Sequence, residues 1–241
     1  MDDITKPRND FIPAARFHFL TKLYDPIVAF TVKEQEFKRL LIKQADLKPQ
    51  HCILDLACGT GTMTLWIWQS AKGVVVFGLD ADPKILTIAR RKAKLVGADT
   101  AFHHGFSTKL PYENEVFDSV FSSLFLHHLL PTDKIKTLEE VHRVLKPGGG
   151  FYVADWGKPQ SPLTKISFFL VRLLDGFVNT RDNAEGTLSK LFLNAGFMDV
   201  VLIHQVTTVF GILDLYAMVK PGPNPAISSL PQSVSGVRKR R

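Results

Sequence analysis

The feature that most constrains the fold is a regular alternation of short β-rich runs with longer segments of helical periodicity, extending from Cys52 to about Lys220. This alternation is typical of a parallel sheet covered by helices. Seven strands are predicted, over 52–57, 74–80, 100–105, 116–125, 149–156, 198–206 and 210–219. The last two are joined by a short link and should form an antiparallel hairpin. The sequence therefore predicts an α/β fold with a doubly wound, mostly parallel sheet of seven strands that ends in an antiparallel hairpin.

Two helices between the strands carry clear start and stop signals. One follows the cap residue Asp82, has Pro83 in its first turn and stops before Gly97. Another is expected from Pro131 through Lys146, ended by the Pro-Gly-Gly-Gly run that follows. The chain divides into three parts: a helical cover over residues 1–50, the sheet domain over 51–220 and a flexible basic tail over 221–241.

Composition excludes several classes of protein. Hydrophobic residues make up 45% of the 241 residues, as in a globular domain. The two cysteines cannot build a disulfide framework or a four-cysteine zinc site, which favours a reducing, cytoplasmic location. The chain shows no basic-then-apolar signal order at its start and no apolar run long enough to span a bilayer.

The net charge of +7 invites a nucleic-acid-binding interpretation, which the charge distribution disfavours. Four of the basic residues are the last four of the chain, 238–241, in a tail rich in Pro, Ser and Gly. We expect a solvated tail there, with contact to an anionic surface or to nucleic acid as the alternative.

The most informative stretch is ILDLACGTGTMT, from Ile53 to Thr64, in which an apolar strand runs into two glycines and then into a helix. Glycines let the backbone turn tightly against a ligand, and a helix N-terminus offers free N–H groups. Asp80, at the end of the next strand, is placed to accept hydrogen bonds from two ribose hydroxyls. Asp55, inside the first strand, needs a partner to be buried.

Two competing glycine motifs do not match. The dinucleotide fingerprint needs a third glycine where this chain has Thr64, and no Gly-Lys-Ser/Thr sequence forms a phosphate loop. A ribose-bearing ligand without a pyrophosphate remains.

At this point the sequence resembles the class I S-adenosylmethionine-dependent methyltransferases, which have a Rossmann-like fold. Asp55, Gly59 and Gly61 match the Asp-x-x-x-Gly-x-Gly of the first motif. Residues 78–82, 110–129 and 143–155 are similar to the later motifs. Within the family the chain looks most like the ubiquinone/menaquinone biosynthesis C-methyltransferases, through residues 22–26, 155–165 and 210–221. Where that group has Gly-Asp-Ala, with the acid contacting adenine, this chain has Gly105, Phe106 and Ser107.

The resemblance implies S-adenosylmethionine as cofactor and a set of residues to bind it. Asp55 would lie near the methionine amino group, Asp80 would hold the ribose, and Phe106 would form either a wall for the adenine or ordinary core. Cys58 is interpreted as a small packing residue and not a nucleophile. The predicted cofactor-binding residues are Tyr24, Asp55, Ala57, Cys58, Gly59, Gly61, Asp80, Ala81, Gly105, Phe106, Ser107 and Ser123.

Three residues are candidates for proton transfer on the acceptor side. His127 and His128 follow the fourth strand, where they could act as a base or simply hold the loop. Asp155, at the end of the fifth strand, could orient or deprotonate the acceptor or cap the next helix. No metal is expected, since His103 and His104 have no further ligand at a compatible spacing.

The resemblance implies methyl transfer to a small, apolar acceptor. The leading hypothesis is C-methylation of a quinol ring, and the alternative is N- or O-methylation of a lipid or natural product. The apolar segment 162–178 would line the acceptor site and take the acceptor from a membrane surface, with a core helix or the face of a homodimer as the alternative. An RNA methyltransferase guided by the basic tail and a catalytically silent cofactor-binding subunit are the other hypotheses.

Overall fold

The computed structural model describes residues 33–222, and within them the elements follow the predicted alternation. The strands are β1 (Cys52–Leu56), β2 (Val75–Asp80), β3 (Thr100–His104), β4 (Phe117–Ser123), β5 (Leu145–Trp156), β6 (Met198–Thr207) and β7 (Ile212–Val219). The helices are α1 (Glu34–Lys43), α2 (Thr62–Ser70), α3 (Pro83–Leu95), α4 (Pro131–Val144), α5 (Pro162–Asp175), α6 (Arg181–Glu185) and α7 (Leu188–Asn194). A turn of 3₁₀ helix spans Leu126–His128.

The strands form one seven-stranded sheet in the order β3-β2-β1-β4-β5-β7-β6. The first five run parallel, and β7 lies antiparallel between β5 and β6. The predicted fold class is therefore confirmed, including the C-terminal hairpin. Thr208 closes the hairpin turn, since its backbone N–H donates to the carbonyl oxygen of Gly211 at 2.8 Å.

The predicted boundary between α4 and β5 is wrong. The helix ends at Val144, and β5 begins at Leu145 instead of at residue 149. The backbone N–H of Val116 bonds the carbonyl of Val144, Phe117 pairs with Leu145, and the register then shifts before the next pairing. Pairing with the neighbouring strand thus starts before the glycine run that was expected to separate the two elements.

Hydrophobic clusters bury the two faces of the sheet. Phe37 and Leu41 of α1 pack with Met63 and Ile67 of α2 in one cluster. Leu138 of α4 belongs to a second cluster with residues from the opposite face. Of the predicted helical cover over residues 1–50, the part that forms α1 is confirmed as helical. Residues 1–32, including Tyr24, and the tail beyond residue 222 lie outside the described residues.

Helix α5 confirms the apolar segment as helical but not as core. Ser161 and Thr164 form a capping box at its start. Only Phe168 and Val171 of the helix are buried. The other large apolar side chains of α5 are exposed, namely Leu163, Ile166, Phe169, Leu170, Leu173 and Leu174. Phe177 and Val178, just after the helix, are exposed as well. Among residues 33–222, no helix combines the length and the apolar character needed to cross a membrane.

Candidate cofactor and acceptor site

The predicted functional residues gather at the carboxyl edge of the sheet. Because β1, β2, β4 and β5 are parallel, their carboxyl ends lie on the same edge, and β1 and β4 are neighbours at the centre of the sheet. Open α/β sheets bind ligands at this edge, where the order of connection reverses. The turn after β1, Asp80, the His127 turn and Asp155 all lie at or just beyond these strand ends.

The turn between β1 and α2 places three residues in the left-handed region of backbone conformation. Ala57, Gly59 and Gly61 have φ angles of 56°, 54° and 77°. A Cβ on Gly61 would come within 3.0 Å of the Ala89 Cβ and 3.1 Å of the Phe102 ring, whereas one on Gly59 would meet no atom within 4 Å. Gly61 therefore allows close helix packing, and Gly59 leaves a bare backbone facing open space.

Asp55 is buried, and its partner is a residue whose role the sequence did not reveal. The Thr64 hydroxyl donates a 2.6 Å hydrogen bond to Oδ2 of Asp55. Burial raises the pKa of Asp55 to about 6, although the hydrogen bond from Thr64 opposes the shift. Thr64, considered only as a poor match for a third glycine, thus holds the carboxyl group beneath the turn.

Asp80 ties the glycine turn to the end of β2. Its Oδ2 accepts from the backbone N–H of Gly59 and its Oδ1 from that of Asp82, both at 2.9 Å. Burial raises the pKa of Asp80, against the effect of these N–H groups. A carboxylate has about four acceptor positions, so each oxygen can still accept another hydrogen bond.

The residues expected on the adenine side lie beside this turn. Gly105 donates its backbone N–H to the carbonyl of Asp80 at 3.1 Å. Phe106 is 48% exposed, which is not the burial expected of a core residue, and its ring packs edge-on against His104. His104 in turn contacts the Ala81 carbonyl oxygen at 3.1 Å. Ser107, by contrast, is buried and hydrogen-bonded to Thr137 at 2.8 Å.

Cys58 is a packed residue of the turn. Its side chain is buried, and a Cβ on Gly78 would approach its sulfur to 2.9 Å. Burial raises the pKa of the Cys58 thiol well above its ordinary value. A protonated, enclosed thiol is a poor nucleophile.

His127 and Asp155 form a buried pair at the ends of β4 and β5. Nδ1 of His127 lies 2.7 Å from Oδ1 of Asp155. Burial alone would raise the pKa of Asp155, but His127 outweighs it and holds that pKa below its usual value. Burial likewise disfavours a charged His127, yet the two carboxylates of Asp155 and Asp175 raise its pKa. Asp155 is therefore an acceptor, and Nδ1 of His127 carries the donated proton.

Two residues from distant parts of the chain complete this pair. Oδ2 of Asp175, the last residue of α5, lies 3.7 Å from Nε2 of His127. The Asn183 amide donates to Oδ1 of Asp155 at 3.2 Å and to the carbonyl of Trp156 at 2.8 Å. Spacing in the sequence could not reveal either residue, since the folding of α5 and α6 over the sheet edge brings them there.

The remaining candidates lie close by. The ring of His128 is tilted against that of His127, with the two centroids 4.0 Å apart. Burial together with His127 lowers the pKa of His128. Its Nδ1 lies 3.3 Å from Oδ1 of Asp175. Ser123 ends β4, and the next residue, Leu124, has a φ of 52° and bonds Ala154 through its backbone N–H at 2.8 Å.

The geometry of the turn fits an adenosine-bearing cation. Open space beside Gly59 admits a ligand against the backbone, and the buried Asp55 has the charge to attract an ammonium or sulfonium group. Asp80 retains acceptor positions for a pair of hydroxyls. Tyr24 lies outside the described residues, so its predicted closure over the cofactor stays a prediction.

Comparison with known proteins agrees with this geometry. A family model described as "Methyltransferase domain" matches residues 53–149. A demethylmenaquinone methyltransferase of Clavibacter sepedonicus is 33% identical over 200 residues, covering 73% of this chain and 78% of that protein. An uncharacterized methyltransferase of Synechocystis is 36% identical over 128 residues, which cover 53% of this chain and 58% of the relative, so this chain spans little more than half of that relative's length.

A solved structure, a SAM-dependent methyltransferase from Aquifex aeolicus, shares the fold. It has a TM-score of 0.63 at 21% identity and covers 87% of this chain and 99% of its own. The match to the methyltransferase family indicates S-adenosylmethionine as the cofactor, and the geometry of the glycine turn is compatible with that cofactor. The chain therefore belongs to the class I S-adenosylmethionine-dependent methyltransferases, among those similar to the ubiquinone/menaquinone biosynthesis C-methyltransferases.

Proposed function

We propose that this chain transfers a methyl group from S-adenosylmethionine to a small, apolar acceptor, with ring C-methylation of a quinol as the leading reaction. One observation carries the proposal: the glycine turn after β1 and the buried His127–Asp155 pair lie at one edge of the sheet, on strands that are close neighbours. This arrangement supports a cofactor site next to a group that can accept a proton.

The cofactor side binds and orients. Asp55 attracts the cationic methionine end, Asp80 accepts from the ribose hydroxyls, and Ala57, Gly59 and Gly61 bring the backbone close to the ligand. When bound, the sulfonium supplies an electrophilic methyl group whose carbon–sulfur electron pair returns to sulfur. Placement of two reactants in line is worth about 7 to 11 kcal/mol, so this binding geometry is the main contribution of these residues.

The acceptor side moves a proton. Because Nδ1 of His127 donates to Asp155, the Nε2 atom of the neutral ring has a lone pair that can accept a proton. Removing the proton of a quinol hydroxyl increases the electron density on the ring carbon that attacks the methyl group. That carbon then loses its own hydrogen as a proton and the ring oxygen regains one, so the aromatic ring is restored and one proton is released overall. Asp155 orients the His127 imidazole and stabilises the positive charge that the ring gains with the proton. The ring of His128 lies beside that of His127.

The exposed face of α5 supports a lipid-like acceptor. Leu163 and Leu174 are 75% and 80% exposed, and together with the exposed apolar side chains between them they form an apolar surface patch. This helix leads directly into Asp175, next to His127. A peripheral contact with a membrane would bring a quinol tail along this helix to the site.

The test is incubation of the full chain with methyl-labelled S-adenosylmethionine and a lipid extract of its host, followed by identification of the labelled product. A product methylated on a quinol ring carbon supports the leading reaction. Label on nitrogen or oxygen would replace it with the alternative acceptor class. No transfer despite tight cofactor binding would leave a silent cofactor-binding subunit.

The RNA methyltransferase hypothesis has its own test. It requires RNA affinity that falls steeply with salt and is lost when residues 222–241 are deleted. Methylation of the lipid-like acceptor that is unchanged by this deletion supports the proposal.

A further inference from the structure

Two imidazoles and one carboxylate converge beside the carboxyl edge of the sheet. Nε2 of His127 lies 3.7 Å from Oδ2 of Asp175, and Nδ1 of His128 lies 3.3 Å from Oδ1 of the same carboxylate. The three ligand-type atoms all lie within 4.8 Å of one another. Metal–ligand bonds of about 2.0 to 2.2 Å in a tetrahedral site place neighbouring ligand atoms roughly 3.3 to 3.6 Å apart, so a small inward movement of these side chains would enclose an ion.

We propose that His127, His128 and Asp175 bind one divalent transition-metal ion. This inference goes beyond the proposed function and does not depend on it. It also departs from the expectation of no metal, which rested on spacing along the chain. Asp175 comes from the end of α5 and reaches the histidines only in the folded protein.

The ligand types indicate the class of ion. Two neutral imidazoles with one carboxylate suit zinc, iron, cobalt or nickel, whereas magnesium and calcium prefer all-oxygen ligand sets. Three protein ligands also leave coordination positions for water or for an oxygen of the acceptor. The cluster therefore has the composition of an open site and not of a closed structural one.

The surroundings of His127 provide a second, independent observation. Metal-bound histidines usually donate their other ring N–H to a carboxylate, which fixes the tautomer and the orientation of the ring. Asp155 lies 2.7 Å from Nδ1 of His127, so Nε2 is the atom turned toward Asp175. Asn183 holds Asp155 in turn, and Asn179 donates to the carbonyl of His128 at 2.9 Å.

A bound ion and a transferred proton would compete for the same atom. Nε2 of His127 has one lone pair, so it cannot bind a metal and accept a proton at the same time. Zinc at this cluster would therefore inhibit proton removal by His127. The cofactor turn shares no residue with the cluster, so cofactor binding would be retained.

The test is titration of the metal-free full chain with Co²⁺, read by its visible absorption, followed by displacement with Zn²⁺. We expect one saturable site. His128→Ala and Asp175→Asn should each weaken cobalt binding at least tenfold, and Asp155→Asn should weaken it about 10- to 100-fold through loss of the outer carboxylate. His204→Ala, which alters an exposed histidine of β6, is the matched control and should bind as the unmodified chain does.

Thermal unfolding identifies which variants are folded, and two independent ligand variants keep the test decisive if one fails. Absence of a saturable cobalt band, or equal affinity in folded His128→Ala or Asp175→Asn, would overturn the proposal. Where methyl transfer is measurable, one equivalent of zinc should inhibit it and a chelator should restore it. Cobalt binding that leaves transfer unchanged would contradict the role of His127 as the base in the proposed function, while the cobalt affinities of the variants still decide the metal site. If the chain transfers no methyl group at all, the absorption titration still decides the metal site.

Discussion

The Thr64 hydroxyl donates a 2.6 Å hydrogen bond to the buried carboxyl group of Asp55, linking the first helix after the glycine turn to the strand before it. The bond crosses beneath the residues that would hold the cofactor. It therefore couples the shape of the turn to the charge on Asp55.

Replacing Thr64 with Val should destabilise the protein by about 1 to 3 kcal/mol, because a buried carboxyl group loses its hydroxyl donor while the side-chain volume is kept. Urea unfolding measures the loss. Thr87→Val is the matched control, since Thr87 is exposed on α3, and it should stay within about 0.5 kcal/mol of the unmodified chain. Equal stability of the two variants would contradict the role given to Thr64.

Cofactor affinity should rise as the pH increases through about 6. Below that value Asp55 is protonated and attracts a cation poorly; above it the carboxylate is ionised. Calorimetry between pH 5 and 8 should show this slope, and Asp55→Asn should reduce it. Identical slopes in the two proteins would argue against Asp55 as the group that attracts the cofactor.

The same shift has the opposite sign for stability without cofactor. Because the folded pKa lies above the unfolded value of 3.8, Asp55 binds more protons in the folded state between these values. Its contribution to the free energy of unfolding therefore falls as the pH rises from about 4 to 6, by up to about 3 kcal/mol. Urea unfolding of the unmodified chain and of Asp55→Asn over this pH range measures the effect. The free energy of unfolding should show this decrease in the unmodified chain and lack it in Asp55→Asn.

Alanine at the two turn glycines should have different effects. Gly59→Ala introduces left-handed strain of about 1 to 2 kcal/mol but no clash, whereas Gly61→Ala adds contact with Ala89 and Phe102 and should be less stable. Gly97→Ala is the control for Gly59→Ala, because Gly97 also has a positive φ and open space around it. Gly59→Ala and Gly97→Ala should be destabilised to a similar extent, but only Gly59→Ala should weaken cofactor binding. Weakening by Gly97→Ala would show that the effect is general.

Asp155→Asn should lower kcat about 10²- to 10⁴-fold with little change in cofactor affinity, because His127 loses the carboxylate that orients it and stabilises its charge. Calorimetry and steady-state rates separate the two quantities. Parallel loss of cofactor binding and kcat would indicate a purely structural pair. His142→Gln, in a histidine that packs on Phe197, should leave kcat unchanged.

Leu174→Ser should weaken binding to lipid vesicles and slow methylation of a lipid-borne acceptor, since it removes an apolar side chain from the α5 face. Leu95→Ser on α3 is matched in exposure, at 77%, and should change neither quantity. Sedimentation with vesicles measures the first effect. Equal losses in both variants would contradict a specific role for α5.

Local patterns predicted most of the fold and the glycine turn after β1. Strand periodicity, the Asp82 cap and the glycines act over a few residues, so the sequence shows them directly. The start of β5 depended on pairing between Phe117 and Leu145, which is a long-range contact. Thr64, Asp175 and Asn183 escaped detection for the same reason, because each gains its partner only when separate elements pack together.

Calorimetric titration of the full chain with S-adenosylmethionine, with its demethylated product and with NADH tests whether the turn after β1 binds the cofactor. We predict that S-adenosylmethionine and its demethylated product both bind saturably at one site and that NADH does not bind. The affinity for both compounds should be at least tenfold weaker in Asp80→Ala. Absence of heat with both compounds, or binding of NADH in their place, would contradict the assignment of the turn after β1 as the cofactor site.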